Sequence, residues 1–185
     1  MITPVPRRVV IVGGVAAGMS TATRLRRRDE DVEIVVLERG GYVSFANCGL
    51  AYYLGGVIDD RDDLLLQTPE GLASRFRLDV RVHSEVVAID TERRTVTVSG
   101  ANGDYELSYS ELVLATGAAP IVPDVPGAER ILALRSIEDV DQLASALTPG
   151  ASVAVVGAGY IGIELAENLT RRGHHVTLLQ RGSQV

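Results

Sequence analysis

The sequence of 185 residues contains a single cysteine, no tryptophan and few aromatic side chains of any kind. One cysteine cannot form an internal disulfide, so nothing in the sequence requires an oxidising compartment. Aromatic residues make up only 4% of the chain, which argues against a stacking platform for single-stranded nucleic acid. The sequence is therefore not typical of a disulfide-stapled secreted domain or of a single-strand binding protein.

Basic residues are also fewer than acidic residues. The formal net charge of −6 argues against general binding to nucleic acid or to anionic membranes, although Arg24 to Arg28 form a local basic cluster. No apolar run approaches the ~20 residues of a membrane span. The short apolar run from Val9 leads directly into a polar, helix-forming segment, which indicates a folded domain rather than a signal peptide. We therefore expect a cytoplasmic protein.

The sequence predicts the same strand–helix–strand unit twice, 144 residues apart when Gly13 is compared with Gly157. Buried parallel strands and amphipathic helices alternate in both places. The first unit is predicted at Arg8–Val12, Ala16–Arg28 and Glu33–Leu37, and the second at Ser152–Val156, Tyr160–Arg172 and His175–Leu179.

Shorter elements are predicted between the two units. Alternating residues and turn signals indicate a β-meander, with a hairpin turn at Asn102-Gly103, and a Pro-rich linker follows at Pro120–Gly127. The predicted helices are Cys48–Leu54, Pro69–Arg75 and Ile137–Leu147, and the predicted strands are Val80–Val82, Glu85–Asp90, Arg94–Val98, Tyr105–Ser108 and Glu111–Ala115.

These patterns predict an α/β fold of two Rossmann-like units with a β-meander insertion. Because a lone strand–helix–strand unit leaves sheet edges and an apolar face uncovered, we expect the second unit to be truncated and to need a partner chain or a missing C-terminal half to complete it. The predicted domains are residues 1–118 for the first nucleotide, 119–150 for a linker with a surface helix, and 151–185 for the start of the second nucleotide domain.

The first glycine turn, residues 13–18, lies between a strand and a helix, where free N–H groups and the helix dipole favour a pyrophosphate. The GxGxxG pattern is imperfect because Val15 takes the place of the middle glycine. Glu38 comes 25 residues after Gly13, at the end of the second strand, where a carboxylate can accept hydrogen bonds from ribose hydroxyls. The alternative is that the glycines serve only a tight turn.

The second glycine turn has all three glycines in register, at Gly157, Gly159 and Gly162. The position expected to be acidic carries Gln180, with Arg181 beside it. Gln and Arg tolerate or pair with a 2′-phosphate that a carboxylate would repel. The sequence therefore favours NADPH, with NADH as the alternative if Arg181 points to solvent.

Cys48 lies in a segment whose neighbours suggest more than a small buried hydrophobe, which is the usual role of a lone cysteine. Ser44 and Asn47 are polar, Gly49 permits close approach, and a predicted helix start would lower the thiol pKa. We therefore interpret Cys48 as a redox thiol.

Four stretches resemble the flavin-dependent pyridine nucleotide–disulfide oxidoreductases of the single-cysteine branch. The most specific is SFANCGLAYYLGG, which is similar to the redox motif of coenzyme A disulfide reductases. The others are GGVAAGMSTATRLRRRDED, LVLATGAAP and VVGAGYIGIELAENL, so the resemblance covers nearly the whole chain. One departure is Ala51, where a proline usually follows Gly-Leu.

The resemblance implies a flavoenzyme that passes electrons from NAD(P)H through FAD to Cys48, which reduces coenzyme A disulfide or a related persulfide or polysulfide. It places Asn47 and Ser44 beside the redox cysteine and gives Tyr160 a possible role as a gate over the flavin. It also implies a homodimer at full length, formed through a C-terminal domain.

The resemblance assigns the remaining site residues by position. Ser20, Arg24 and Arg27 match positions that contact coenzyme A, although a solvated basic helix face is the alternative. The FAD residues are Gly13, Gly14, Val15, Ala16, Ala17, Gly18, Glu38, Arg39, Thr116, Gly117 and Ala118. The nicotinamide nucleotide residues are Gly157, Gly159, Tyr160, Ile161, Gly162, Glu164, Gln180 and Arg181.

Two other functions stay open. An NADH oxidase or peroxidase would cycle the cysteine through sulfenic acid, but such relatives carry a histidine where this sequence has Ala16. A non-catalytic nucleotide-binding fragment is the second alternative, because the expected C-terminal regions do not follow. A metal site is not expected, since His83, His174 and His175 lack ligand-like spacing.

Overall fold

The computed structural model describes residues 7–183, which divide into two compact units. The first unit comprises residues 7–45 and 65–118, and the second comprises residues 46–64 and 119–183. The division of function among residues 1–118, 119–150 and 151–185 stays a prediction, and residues 46–64 group by their contacts with the second unit.

The elements follow in chain order as β1 (Arg8–Val12), α1 (Ala16–Arg28), β2 (Glu33–Leu37), a 3₁₀ turn (Asn47–Gly49), α2 (Leu50–Leu54), a 3₁₀ turn (Arg61–Leu64), α3 (Pro69–Phe76), β3 (Asp79–Arg81), β4 (Ser84–Asp90), β5 (Thr95–Gly100), β6 (Gly103–Ser108), β7 (Glu111–Leu114), a 3₁₀ turn (Ala128–Arg130), α4 (Ile137–Ala146), β8 (Ser152–Val156), α5 (Tyr160–Arg171) and β9 (His175–Leu179). The mixed α/β class and both predicted strand–helix–strand units are confirmed.

The first unit is built on a parallel sheet of order β3-β2-β1-β7. Successive side chains of β1 point to opposite faces of this sheet. Val9 and Ile11 pack in an apolar cluster with Met19 of α1, while Val10 on the other face packs with Val96 of β5. Both faces of β1 are therefore buried, as is typical of a central strand in a parallel sheet.

The β-meander has three strands, not the four that the sequence predicts. β4, β5 and β6 form an antiparallel sheet, but β3 pairs in parallel with β2, with Val80 opposite Val36. Val80 also packs against the apolar cluster that contains Val9. The prediction of Val80–Val82 as a meander strand was wrong because a strand of three residues carries too little alternation to show which sheet it joins.

The meander hairpin is shifted by one residue from the predicted Asn102-Gly103 turn. Gly100 pairs with Gly103, so the two-residue loop is Ala101-Asn102. Gly103 closes the loop with a positive φ of 109°, which a residue with a side chain rarely adopts. The sequence therefore predicted a hairpin at the right place, but Gly103 is the first residue of β6 and not part of the two-residue loop.

The second unit contains the parallel pair β8-β9, with α5 connecting the two strands. Helix α4 begins with a capping box in which Ser136 and Asp139 exchange hydrogen bonds with each other's backbone. Helix α2 packs against α4 and α5. Within residues 7–183, no helix is long and apolar enough to span a bilayer.

Candidate functional site

The first glycine turn brings the end of β1 close to the start of α1. Gly13 has a φ of +106°, and its N–H donates to the carbonyl of Leu37 at 2.8 Å. A Cβ atom on Gly13 would collide with the carbonyl oxygen of Ala115, and one on Gly18 would collide with the carbonyl oxygen of Gly13. Val15, at the middle position, has a negative φ of −105°, so this position does not need the left-handed backbone that favours glycine.

The carboxylate of Glu38 is held beside this turn by two backbone donors. Gly14 N–H donates to Oε2 at 2.7 Å, and Gly40 N–H donates to Oε1 at 2.9 Å. Each carboxylate oxygen can accept a second hydrogen bond, so the side chain is fixed in place and still able to accept hydroxyl donors. This is the acceptor that a ribose requires.

The N-terminus of α1 has no side-chain cap, and its first residues Ala16 and Ala17 are exposed. The first N–H groups of a helix lack intrahelical partners and favour an anion. Together with Glu38, this turn offers one acceptor for a ribose and open donors for a pyrophosphate. The residues present therefore fit the ADP half of a flavin dinucleotide.

The other residues predicted around the first turn are accessible. Gly117 has a φ of +67°. Thr116, Gly117, Ala118 and Arg39 are exposed. Ser44 has a strained φ of +49°, and its backbone N–H donates to the carbonyl of Gly14 at 3.0 Å. Ser44 is therefore tied to the first turn, a contact that nothing in the local sequence indicates.

The arginines of the basic helix α1 differ in their burial. Ser20, Arg24 and Arg27 are exposed and share one face, because they are spaced four and three residues apart. Arg26 is buried and donates to the carbonyls of Phe76, Asp29, Glu30 and Arg77. The exposed face is accessible to an anionic ligand. Arg26 instead binds backbone carbonyls, and the sequence does not distinguish it from the other arginines of the cluster.

The second glycine turn repeats the backbone of the first. Gly157 has a φ of +104° and donates to the carbonyl of Leu179 at 2.8 Å, and a Cβ atom on Gly162 would collide with the carbonyl oxygen of Gly157. Gly159 is the N-cap of α5 and provides no side-chain cap. This helix N-terminus also offers open backbone donors.

The end of β9 carries an amide where the first unit carries a carboxylate. Gln180 Oε1 accepts a hydrogen bond from Ala158 N–H at 3.2 Å, the counterpart of the Glu38 contact. Arg181 is exposed next to it. Tyr160 and Ile161 are exposed at the start of α5, with Tyr160 90% accessible, and Glu164 is half-buried one turn later.

Cys48 is a free, exposed thiol in the middle of the 3₁₀ turn Asn47–Gly49. Asn47 beside it is also exposed, and Ala51 is buried in α2. A Cβ atom on Gly49 would lie 2.8 Å from Leu64 Cδ2. The group that packs closely against Gly49 is therefore the side chain of Leu64 in the same chain.

The comparisons with known proteins agree with one family. Residues 7–185 match the family described as pyridine nucleotide-disulphide oxidoreductase. The chain is 38% identical over 184 residues to coenzyme A disulfide reductase of Staphylococcus aureus strain JH9, covering 96% of this chain and 41% of that protein. The chain thus spans about two fifths of the length of this curated relative.

Two solved structures are similar in fold and sequence. Reduced Bacillus anthracis CoADR-RHD superimposes with a TM-score of 0.92 and 48% identity, covering 98% of this chain and 34% of that one. The water-forming NADH oxidase from Lactobacillus brevis, bound to NADH, gives a TM-score of 0.85 and 35% identity over 93% of this chain and 39% of that one.

Proposed function

We propose that this chain, which belongs to the pyridine nucleotide-disulphide oxidoreductase family, forms the nucleotide-binding and thiol-bearing part of a flavin-dependent NAD(P)H reductase of coenzyme A disulfide. A related persulfide or polysulfide is included in the proposed substrate class. The observation that carries the proposal is the exposed Cys48 within SFANCGL, in a chain 48% identical to reduced Bacillus anthracis CoADR-RHD.

In this proposal the two glycine turns hold different dinucleotides. The first turn holds FAD, with Glu38 accepting from the ribose and the N-terminus of α1 facing the pyrophosphate. The second turn holds the nicotinamide nucleotide at the N-terminus of α5. FAD bound at the first turn supplies acceptance of a hydride and delivery of two electrons to sulfur.

Cys48 carries out the sulfur chemistry. Its thiolate attacks one sulfur of coenzyme A disulfide, which forms a mixed disulfide and releases one coenzyme A thiolate that takes a proton from water. Two electrons, which NAD(P)H would supply through the bound flavin, then cleave the mixed disulfide, so the second coenzyme A leaves as a thiolate and the Cys48 thiolate returns. Asn47, exposed beside Cys48, is proposed to contact the substrate there.

Binding of coenzyme A is proposed for the exposed face of α1. Arg24 and Arg27 suit phosphates because a guanidinium donates two parallel hydrogen bonds to an anion, and Ser20 adds a hydroxyl on the same face. The buried Arg26 is excluded from this role, since its donors are occupied by backbone carbonyls.

NADPH is the proposed electron donor, and NADH stays the alternative because Arg181 is exposed. Gln180 occupies the place of Glu38 without its negative charge, and Arg181 adds a positive charge next to it. A 2′-phosphate meets no carboxylate at either residue. Homodimerisation and a cytoplasmic location stay predictions of the sequence.

The function is tested by anaerobic titration of the full-length protein, with the flavin absorbance as the readout. We expect NADPH to reduce the flavin, and one equivalent of coenzyme A disulfide to reoxidise it with release of two free thiols. Cys48→Ser should retain flavin and its reduction by NADPH but lose reoxidation by the disulfide. A preparation without flavin would contradict the proposal.

An NADH oxidase is the second candidate, favoured by the similarity to the Lactobacillus brevis enzyme. The same titration separates the two functions. Rapid reoxidation by oxygen, together with no response to coenzyme A disulfide, would support the oxidase and overturn the disulfide reductase.

A further inference from the structure

The thiol lies on a closed loop of the second unit, residues 46–64, which we name the cysteine segment. Its two ends meet where Ala46 N–H donates to the carbonyl of Leu64 at 2.8 Å. Leu50, Leu54 and Leu64 are buried within the unit. Because α2 has only five residues and a helix this short is marginal by itself, the shape of the segment depends on contacts with other elements.

Helix α5 supplies the first of these contacts at the C-terminal end of α2. Arg172, the C-cap of α5, donates from Nη1 to the carbonyl of Leu54 at 2.7 Å. A cation is favourable there because the last carbonyls of a helix carry partial negative charge. The contact joins the end of α2 directly to the end of α5.

Asn168 supplies the second contact, one turn earlier on α5. Asn168 is 2% exposed, and its side chain lies so close to Gly55 that a Cβ atom there would be 2.5 Å from Oδ1. Its Nδ2 donates to the carbonyl of Glu164 at 2.8 Å, which fixes the amide along the helix. The approach of α5 to α2 therefore depends on the absence of a side chain at Gly55.

The cysteine segment has another anchor on α4. Arg61 and Asp141 form a two-pronged ion pair, with Nε to Oδ1 at 2.7 Å and Nη2 to Oδ2 at 2.8 Å. Paired parallel hydrogen bonds of this kind restrict orientation as well as distance. Two of the three helical parts of the segment, α2 and the 3₁₀ turn Arg61–Leu64, are thus held by contacts with α5 and α4.

We propose that Arg172 and Asn168 are positioning residues for Cys48, so that the helix which begins at the second glycine turn also determines where the redox thiol lies. Helix α5 has 12 residues, about 18 Å, with the glycine turn at one end and these two residues at the other. The proposal rests on the proposed function, because it assigns Cys48 its redox role.

The test compares Arg172→Met, Arg172→Lys and the control Arg171→Met in the full-length protein. Arg171 has the same charge one residue away, but its ion pair within residues 7–183 is with the exposed Glu167 at 3.0 Å. We expect Arg172→Met to slow flavin reoxidation by coenzyme A disulfide about tenfold while reduction by NADPH changes less than twofold. Arg172→Lys should restore most of the rate, since an ammonium also donates to a carbonyl.

A readout independent of flavin chemistry is hydrogen exchange of the cysteine segment. Arg172→Met should accelerate exchange of residues 50–58 about tenfold and leave α1 unchanged, whereas Arg171→Met should change neither. Equal slowing of both half-reactions, or no local change in exchange, would overturn the positioning role. A different outcome is that the wild type shows no flavin reoxidation by coenzyme A disulfide while Arg172→Met still accelerates exchange of residues 50–58. That outcome would overturn the proposed function but not the contact between Arg172 and α2.

Discussion

Gly13 and Gly157 occupy the same position in two glycine turns but have different surroundings. Both have a φ near +105°, and both donate to the carbonyl of the last residue of the neighbouring strand. The residue after β7 brings its carbonyl, that of Ala115, against Gly13. Within residues 7–183, by contrast, no atom beyond Gly157 and its two chain neighbours lies within 4 Å of a Cβ placed on Gly157. The turn geometry is thus local, while its surroundings depend on the rest of the unit.

The two units also differ in how they bury their strands. In the first unit, β1 lies between β2 and β7, and its central residues Val10 and Ile11 are fully buried. In the second unit, Val156 is 68% and Leu179 is 50% exposed at the ends of β8 and β9. The second unit therefore leaves apolar strand ends exposed, whereas the first unit buries the centre of β1 on both faces.

The largest expected effect comes from substituting alanine at the two equivalent glycines of the 185-residue chain. Gly157→Ala adds only backbone strain, about 1–3 kcal/mol. Gly13→Ala adds the same strain and a collision with the carbonyl of Ala115, so we expect its loss of unfolding free energy to be greater by about 2 kcal/mol.

Hydrogen exchange of the β1 and β8 amides measures the loss near each turn, because exchange reports the free energy of opening around each amide. Equal losses in the two variants would contradict the prediction. They would show that β7 moves away from the first turn at no measurable cost.

A smaller effect is expected from substituting Gln180 and Glu38, whose side chains accept hydrogen bonds from backbone N–H groups of the two glycine turns. Gln180→Glu places a carboxylate near the proposed 2′-phosphate site, so the Kd for NADPH should rise about tenfold, or ~1.4 kcal/mol, relative to NADH. The matched variant Glu38→Gln should weaken flavin retention without changing this ratio. An unchanged ratio of the two Kd values in Gln180→Glu would argue against NADPH selection at this residue.

The smallest effect concerns the anchor between the cysteine segment and α4. The hydrogen bond from Arg61 lowers the pKa of the Asp141 carboxyl below its ordinary value, and this outweighs the opposing effect of desolvation. A lowered folded-state pKa stabilises the fold at neutral pH, and this stabilisation is lost as the pH falls through the folded-state pKa.

Asp141→Asn should therefore cost at most about 1 kcal/mol at pH 7, because the pair is partly exposed. The difference from the wild type should shrink as the pH falls below about 4, which urea unfolding across pH 2–7 would measure. The control Glu167→Gln removes a more exposed pair and should cost less. A cost for Asp141→Asn that is constant with pH would exclude the ion pair as its source.

Most elements of both units were predictable because their signals are local. The bounds of β1, α1, β2, β8 and β9 agree with the predictions to the residue, since apolar runs and glycine turns mark both ends. The turn residues Gly13 and Gly157, and the positions of Glu38 and Gln180 after a strand, were found from spacing together with the predicted strands and helices. The roles of these residues as ligand contacts stay predictions.

Other features could not be predicted because they depend on distant residues. The sequence suggests that Gly49 makes room for another group, but not that the group is Leu64. It marks Arg24 to Arg28 as basic, but not that Arg26 turns inward to carbonyls some 50 residues away. Such contacts leave no periodic signal near either partner.

The sequence alone determined that this chain has two glycine turns between a strand and a helix and one candidate redox thiol, because glycine conformation, strand periodicity and the SFANC motif are read within a few residues. Only the tertiary structure decided that β3 joins the parallel sheet and that the cysteine segment packs with α4 and α5. Both outcomes depend on contacts between residues that are far apart in the sequence. Burial of apolar surface in the whole unit selects these contacts, and local conformational preference does not.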